Sequence, residues 1–317
     1  MGGWIHGSPM ADARGEARIE LAAGGAAAER PGAGRTLWSI AARRLRRNPP
    51  ALVALAFLVV IHLVAIIGPI IGPPFLRIDP FTTDPIGSLK AGSLGHPLGT
   101  DEIGRDVLAR LVLGSRVSLA VGFVAMVISV SAGVTMGSLS GYFGRWVDVV
   151  LMRFTDAMMA LPTLFVILAA LAVFGGGPAT STIVIGLTAW MPVARIVRGE
   201  YLRWRVTEFV DAARAIGGND LRIMLRHILP QVVPSIIVAA TLNVAFAILT
   251  ESAISYLGLG IRPPLPSWGN MLQNAQIYIW SAPNLALYPG ALILMTVLAY
   301  NFLGDGLRDA LDPRLKL

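Results

Sequence analysis

The stretch that decides the fold is residues 207–230, TEFVDAARAIGGNDLRIMLRHILP, a polar insert between two strongly apolar segments. Thr207 can cap a first helix, and Glu208 and Asp211 place negative charge in its opening turn, where the helix dipole favours it. A pair of glycines ends this helix, and a second capped helix is predicted to run to Pro230. The insert is therefore predicted to be a helix pair exposed to water.

The first helix of the insert carries a narrow apolar stripe. Phe209, Ala213 and Ile216 recur at i, i+4 and i+7, and Ala212 borders them. A helix with such a face can lie in the groove of a partner protein. An ordinary cytoplasmic loop of a membrane protein would also contain capped helices, so the residues alone leave both interpretations open.

Composition places the chain among polytopic membrane proteins. Of its 317 residues, 55% are hydrophobic and only 14% are charged, and the mean hydropathy is +0.66. This is far more apolar surface than a soluble core of this size needs. Cysteine is absent, so neither a disulfide framework nor thiolate chemistry is available.

The first 36 residues differ from the rest of the chain. Residues 1–36 are rich in glycine, alanine, arginine and glutamate and show no apolar periodicity, which is typical of a disordered segment. They lack the apolar core that a cleavable signal peptide needs. We expect a cytoplasmic tail over residues 1–36 and a membrane domain over residues 37–317.

Six apolar stretches are long enough, or nearly so, to cross a hydrocarbon core of roughly 30 Å at about 1.5 Å per helical residue. Backbone groups in lipid must be satisfied within the segment, so we predict an all-α fold with six transmembrane helices. The predicted spans are residues 51–71, 117–137, 157–174, 181–197, 232–256 and 285–303.

The basic residues orient these spans. With the N-terminus inside, 20 of the 26 lysine and arginine residues fall on the inner side, which favours cytoplasmic N- and C-termini. The same asymmetry explains the net charge of +7 and the pI near 10.3 without invoking nucleic acid. The predicted location is a bacterial cytoplasmic membrane, with lipid as a partner and no nucleic acid.

Four separated motifs resemble one known family. The insert supplies the first, Asp211-Ala212-Ala213, followed after three intervening residues by Gly217, with Leu229-Pro230 at its end. The other segments are HPLGTD, GRDVL and SRVSL within residues 96–119, LGLG and PSWGNML within residues 257–272, and NFLGDGLRD with DPR within residues 301–314. In this order they resemble the C-type permease subunit of the dipeptide, oligopeptide and nickel importers of the ATP-binding-cassette class. Asp211 stands where that family usually has Glu, and His227 where it usually has Ile.

The resemblance implies a type I importer permease fold whose insert is a cytoplasmic coupling helix. It implies a B-type permease subunit as partner, two cassette ATPase subunits or one fused chain, and an extracytoplasmic substrate-binding protein. The expected cargo is peptides, dipeptides first, with longer oligopeptides or nickel as alternatives. The residues that the resemblance assigns to ATPase coupling are Glu208, Phe209, Asp211, Ala212, Ala213, Ile216, Gly217 and Pro230.

The sequence argues against chemistry on this chain. A phosphate-binding loop needs a glycine-rich turn ending in Gly-Lys-Ser/Thr, and neither Lys90 nor Lys316 stands in that setting. We therefore expect no enzymatic activity and no cofactor on this chain, with ATP and magnesium bound by the partner ATPase. Four scattered histidines give no argument for a metal site.

Two polar residues lie within the fifth predicted span. Polar groups in spans cost energy and are default candidates for function. Asn243 and Glu251 are eight residues apart, about two helical turns. Either they bond a neighbouring helix or the outer loop, or they line the passage, where Glu251 would meet the amino group of the substrate.

The predicted outer loops allow two interpretations. Trp268, Tyr278 and Trp280 are suited to a belt of aromatic rings at the outer interface. Alternatively, Trp268 belongs with Asp101, Arg105 and Asp106 to a landing surface for the binding protein.

Two rival classes stay open from the residues alone. A secondary transporter driven by an ion gradient would ordinarily show more carboxylates in its spans, or broken helices in repeated halves, and neither is evident. A purely structural or receptor membrane protein would not need the capped insert.

Overall fold

The helices follow the hydropathy pattern, and the regular elements of the described chain are all helical. The structure is a computed structural model that describes residues 37–76 and 79–311, so the predicted tail over residues 1–36 lies outside the described residues. The helices are α1 Leu37–Leu45, α2 Pro49–Leu76, α3 Val107–Phe143, α4 Arg145–Met159, α5 Thr163–Phe174, α6 Pro178–Thr188, α7 Trp190–Trp204, α8 Glu208–Ala215, α9 Asp220–Arg222, α10 Leu229–Tyr256, α11 Trp268–Ala275 and α12 Asn284–Leu311. The all-α prediction is confirmed.

Five helices in the described chain are long and apolar enough to cross a membrane, and a bent pair makes a sixth crossing if it is counted as one span. The five are Pro49–Ile70, Val107–Phe143, Pro178–Trp204, Asp220–Tyr256 and Asn284–Leu311. The insert lies at one end of this bundle, which we call the insert end. The opposite end, which carries α11, is the distal end.

The third predicted span is wrong as a single continuous helix. Residues 157–174 are divided between α4 and α5, whose axes meet at 81°. Pro162 lies at the break, and a proline disfavours helical backbone at the residue before it. With 12 residues, α5 is about 18 Å long and cannot cross the core alone.

The second span is much longer than predicted. Residues 117–137 are only the apolar middle of α3, which has 37 residues. At its distal end Asp106 caps the helix by accepting from the Ala109 N–H at 2.7 Å. At the insert end it stops at Gly144, whose φ of +63° suits a residue without a Cβ. Capping residues, rather than the apolar window, set these ends.

A row of glycines brings α3 close to α7. Gly133, Gly137 and Gly141 recur every four residues on α3, and a Cβ added to Gly137 would lie 2.4 Å from the carbonyl oxygen of Ala194. Such rows allow helix backbones to approach closely in membranes. On the side of α3 that faces α10, a Cβ on Gly122 would lie 2.5 Å from Ile248. Gly122 and Gly133 therefore both lie at close helix contacts of α3.

Candidate functional site

The first helix of the insert, α8, ends in a fixed turn. Gly217 has φ +83°, its N–H donates to the carbonyl of Arg214 at 2.9 Å, and the Gly218 N–H donates to the carbonyl of Ala213 at 3.0 Å. This pair of bonds is the Schellman arrangement, which satisfies the last carbonyls of a helix. The turn gives α8 a defined direction relative to the chain that follows.

The start of α8 is joined to α7. Thr207 occupies the N-cap position with extended backbone, as predicted, but makes no side-chain capping bond. Its hydroxyl donates instead to the carbonyl of Trp204 at 2.6 Å. The ring of Phe209 lies 6.0 Å from that of Trp204. The short link between α7 and α8 is therefore held by one hydrogen bond and one contact between aromatic rings.

The two faces of α8 differ from the predicted stripe. Val210 and Ala213 are buried in a cluster at the insert end, whereas Phe209, Ala212 and Ile216 are exposed. Phe209, Ala213 and Ile216 therefore do not form one uniform stripe. Phe209 and Ala213 are one turn apart, but the inward face is centred on Val210 and Ala213, so Phe209 stays outside it, and Ile216 lies beyond the last helical residue.

The exposed face of α8 combines apolar and charged groups. Ile216 is 87% exposed, and Glu208 and Asp211 lie in the first turn as predicted. Asp211 pairs with Arg214 at 3.0 Å, and both side chains are open to solvent. Exposed ion pairs contribute little to stability. This face is therefore free to contact another molecule at small energetic cost to the fold.

Hydrogen bonds fasten the insert to two spans. The Tyr142 hydroxyl, at the end of α3, donates to Asp220 at 2.6 Å. The Tyr201 hydroxyl on α7 donates to the carbonyl of Met224 at 3.1 Å. Arg205, just before the insert, donates to the carbonyl oxygens of Gly141 and Tyr142, each at 3.2 Å, and so joins the ends of α3 and α7. The insert is thus connected to α3 and α7 by short polar contacts.

The second helix does not end at Pro230, contrary to the prediction. Asn219 caps α9 by accepting from the Arg222 N–H at 2.8 Å, and a π turn, Ile223–Ile228, then leads into α10. The Leu229 N–H bonds the carbonyl of Met224, five residues back. Proline has no N–H and crowds the carbonyl four residues back, and the wider turn accommodates this just before Pro230. The second half of the insert and the span form one continuous helix, Asp220–Tyr256.

Asn243 and Glu251 join α10 to other elements. Asn243 accepts from Ser129 of α3 at 3.0 Å and donates to the carbonyl of Ala189 at 3.2 Å, between α6 and α7. Glu251 accepts from Ser118 of α3 at 2.9 Å and from Ser255 at 2.7 Å. Interhelical polar contacts of this kind hold helices together in membranes.

The two residues differ in access. Glu251 is fully buried. Its carboxylate therefore has no exposed surface in this structure with which to meet a substrate, as the predicted passage role requires. Asn243 lines a cavity of about 390 Å³ together with residues of α5, α6 and α7. Of the two, only Asn243 borders this cavity, and it is 9% exposed.

The predicted landing residues at the distal end are buried, which corrects that expectation. Asp101 pairs with Arg105 at 2.6 Å, and Asp106 pairs with His96 at 2.9 Å besides capping α3. Trp268 is buried, and its indole N–H donates to Ser115 at 3.3 Å. These polar side chains are paired with partners inside the distal loops, so they do not form an outer surface. The exposed large apolar side chains of the described distal loops are Phe81, Ile86, Leu94, Ile103, Leu257, Ile277, Ile279 and Trp280.

Sequence reasoning missed the inward face of the insert. Val210 lies next to Phe209 of the predicted stripe. Side chains turn by 100° per residue around a helix, so Val210 and Ala213 could have been identified as an alternative apolar face. The roles of Tyr142 and Tyr201 had no such signal, because Tyr142 bonds a partner 78 residues away. Single-sequence periodicity carries no information about such pairs.

Two family models match the chain. Residues 133–317 match the family described as binding-protein-dependent transport system inner membrane component. Residues 36–87 match the N-terminal transmembrane domain of oligopeptide transport permease C.

Characterised relatives cover most of the chain. The dipeptide transport system permease protein DppC of Alkalihalophilus pseudofirmus is 39% identical over 88% of this chain and 90% of its own length. The oligopeptide transport system permease protein OppC of Bacillus subtilis is 39% identical over 89% and 91%. The glutathione transport system permease protein GsiD of Pectobacterium atrosepticum is 41% identical over 71% and 74%.

A solved structure shares the fold. An inward-facing form of the MetNI methionine ABC transporter superposes with a TM-score of 0.54 at 18% identity, covering 65% of this chain and 97% of that one. At this identity the likeness concerns the fold alone.

Proposed function

Because the chain belongs to the family of binding-protein-dependent transport system inner membrane components, as a C-type permease of the peptide ABC importers, we propose that it forms half of the passage of an ATP-driven peptide importer. It is a multi-pass inner-membrane protein and a transport subunit rather than an enzyme. The observation that carries the proposal is the division of α8 into a buried face and an exposed apolar face.

The exposed face is suited to an ATPase partner. Phe209, Ala212 and Ile216 offer apolar area on the surface of a membrane protein whose other exposed apolar groups lie mostly on its spans. A short helix presenting such a face fits a groove on a partner. The partner holds ATP and magnesium, and this chain contributes no nucleotide-binding group.

The coupling works as a two-state switch. ATP binding closes the ATPase pair and shifts α8 with the groove it occupies. The bonds from Tyr142 and Tyr201 carry that shift to α3 and α7, and the π turn carries it into α10. Nucleotide biases the inward and outward states only if the α8 contacts differ between them.

The remaining assignments complete the importer. The insert end faces the cytoplasm, with both termini on that side, because the basic residues concentrate there. A B-type permease forms the other half of the passage, and an extracytoplasmic binding protein delivers the substrate at the distal end. The ATPase is either two subunits or one fused chain.

Dipeptides are the first substrate we propose, since a dipeptide permease is 39% identical over most of the chain. Longer peptides and glutathione come next, because permeases of those names are about as similar. Nickel remains an alternative from the motif resemblance. An ion-driven secondary transporter is the alternative of another class.

The test compares two equivalent substitutions. Ile216→Glu places a charge on the proposed docking face, and Ile277→Glu places the same charge at the distal end, where Ile277 is 76% exposed. Truncating a central anchor of an interface costs about 2 kcal/mol or more, which corresponds to roughly 30-fold in affinity.

The readouts are co-purification of the ATPase subunit and ATP-dependent peptide uptake. We expect Ile216→Glu to lose both while inserting normally, and Ile277→Glu to keep ATPase association. If Ile216→Glu kept undiminished ATPase association and substrate-stimulated ATP hydrolysis, the proposal that α8 docks on the ATPase would be contradicted.

A further inference from the structure

Two interruptions of helical structure lie at a similar depth in the bundle: the 81° bend between α4 and α5, and the single non-helical residue Ala189 between α6 and α7, which together form the span Pro178–Trp204. The 12 residues of α5 place its break with α4 about 18 Å from the distal end, and the 11 residues of α6 place its break with α7 about 17 Å from it. Gly176, between α5 and α6, packs against the carbonyl oxygen of Leu259 in the distal loop, which fixes this starting level. Both breaks therefore fall near the middle of a core of roughly 30 Å.

The break between α4 and α5 exposes main-chain polar groups at that depth. Residues 160–162 are exposed, and no side chain caps α5 at Pro162. The carbonyls of Asp156 and Met158 accept from the two residues after α4, but the first two N–H groups of α5, those of Thr163 and Leu164, have no partner within their own helix. Hydrocarbon cannot satisfy such groups, so irregular backbone at this depth must meet protein or water. This surface does not face lipid.

A cavity of about 390 Å³ lies between the two breaks. This size is within the range of small-ligand sites. Its wall includes Met159, Thr163, Met191, Asn243 and Phe246. Asn243 lies about 20 Å from the distal end of α10, so it reaches the same level as the breaks. A second cavity, of about 670 Å³, is lined by unbroken stretches of α3 and α6 and by Leu265.

An ion pair borders this region toward the insert end. Asp156, one turn before the break, bonds Arg195 of α7, and both side chains are half exposed. Charged residues within membrane spans ordinarily face a bundle interior or a water-filled cavity. The ion pair and the exposed main chain therefore both indicate that this side of the bundle borders water.

We propose that this mid-membrane cavity is the contribution of this subunit to the substrate site in the passage, and that it takes short peptides. The side chains of Thr163 and Asn243, with the main-chain groups at the break between α4 and α5, provide hydrogen-bonding groups that suit the polar backbone of a peptide. Asn243 borders the cavity at 9% exposure, and its side-chain amide, which can make four hydrogen bonds, makes two within the fold.

The apolar part of the wall explains tolerance of different side chains. Met159 and Met191 are flexible and polarisable, and methionine is common on surfaces that accept varied partners. Phe246 adds a flat apolar wall. The inference rests on the proposed function, because a peptide must reach the cavity from a delivering protein.

The experiment uses the absence of cysteine in this chain. Thr163→Cys and Met159→Cys are made singly in the full importer complex in proteoliposomes. The matched control is Val60→Cys on α2, which lies 11 residues into that helix and is 58% exposed. Each is treated with a charged, membrane-impermeant methanethiosulfonate, and modification of this chain is followed by mass spectrometry.

We expect Thr163→Cys and Met159→Cys to react at least on the order of tenfold faster than Val60→Cys, because a thiol in lipid stays protonated and out of contact with the reagent. Tryptone, delivered with the loaded binding protein, should slow modification in the cavity, whereas the same mass of free amino acids should not.

Equal, slow modification at all three positions would overturn the proposal, and so would fast modification that tryptone leaves unchanged. Both outcomes leave the proposed function intact as long as the complex imports peptide. Failure of the wild-type chain to co-purify with an ATPase would instead contradict the proposed function itself.

Discussion

Gly137→Ala tests whether the glycine row sets the distance between α3 and α7. The new Cβ would lie 2.4 Å from the carbonyl oxygen of Ala194 and 2.8 Å from the Cβ of Val197. The nearest atom belongs to the backbone, so no rotamer change relieves the contact. The two helices must separate, which also disturbs the contacts of Tyr201 with the insert.

The magnitude follows from two opposing effects. Adding a methyl group to a tightly packed interface costs about 1–3 kcal/mol, while replacing glycine by alanine within a helix contributes about 1 kcal/mol of stability. We therefore expect a net loss of up to about 2 kcal/mol for Gly137→Ala. Gly199→Ala is the matched control, because Gly199 lies within α7 and has no atom within 4 Å of its added Cβ. Only the favourable effect remains there.

Thermal unfolding of the detergent-solubilised chain measures both variants. At an unfolding entropy of about 2.1 cal/mol/K per residue, a change of 1 kcal/mol shifts the melting temperature of a 317-residue protein by about 1.5 °C. Gly137→Ala should melt below the wild type and Gly199→Ala at or above it. A shift of the same sign and size in both variants would refute the close-packing argument.

Two further predictions concern the polar contacts of the spans. Tyr142→Phe removes the hydroxyl that donates to Asp220; we expect ATPase association to persist while peptide uptake per ATP hydrolysed falls, and unchanged coupling would show that this bond transmits nothing. Glu251→Gln keeps an acceptor for Ser118 and Ser255, so assembly and uptake should be normal, whereas Glu251→Leu should reduce the yield of intact complex. Lost uptake by an intact Glu251→Gln complex would show that the charge of Glu251 acts on the substrate. It would contradict the view that Glu251 only holds α10 to α3.

The sequence predicted the insert well where local rules apply. The capping position at Thr207, the charges of the first turn and the end of α8 at Gly217 all follow from short-range backbone chemistry. The face of α8 that packs inward did not follow, because Val210 and Ala213 are buried together, whereas the predicted stripe placed Ala213 with the outward-facing Phe209 and Ile216. The substitution Ala213→Trp, a natural choice from the sequence, would damage the buried cluster rather than the docking face.

Glu251 and Trp268 show the limit of reasoning from residue type. A carboxylate in a span and a tryptophan in a distal loop both indicated exposed functional groups. In the structure the Ser118 hydroxyl donates to Glu251 and accepts from the backbone N–H of Trp268. The first bond joins residues 133 positions apart, and the second joins residues 150 positions apart. Their burial depends on this three-way contact, which has no periodic trace in the chain.

By itself the sequence determined that the chain is helical, that it crosses a membrane several times, and which loop is polar. The reason is that the thickness of a bilayer and the need to satisfy the backbone act on every stretch locally. The tertiary structure alone decided the bend between α4 and α5, the cavity between two helix breaks, and the outward face of α8. These features arise where distant segments meet, and only packing establishes which polar groups are paired and which stay open.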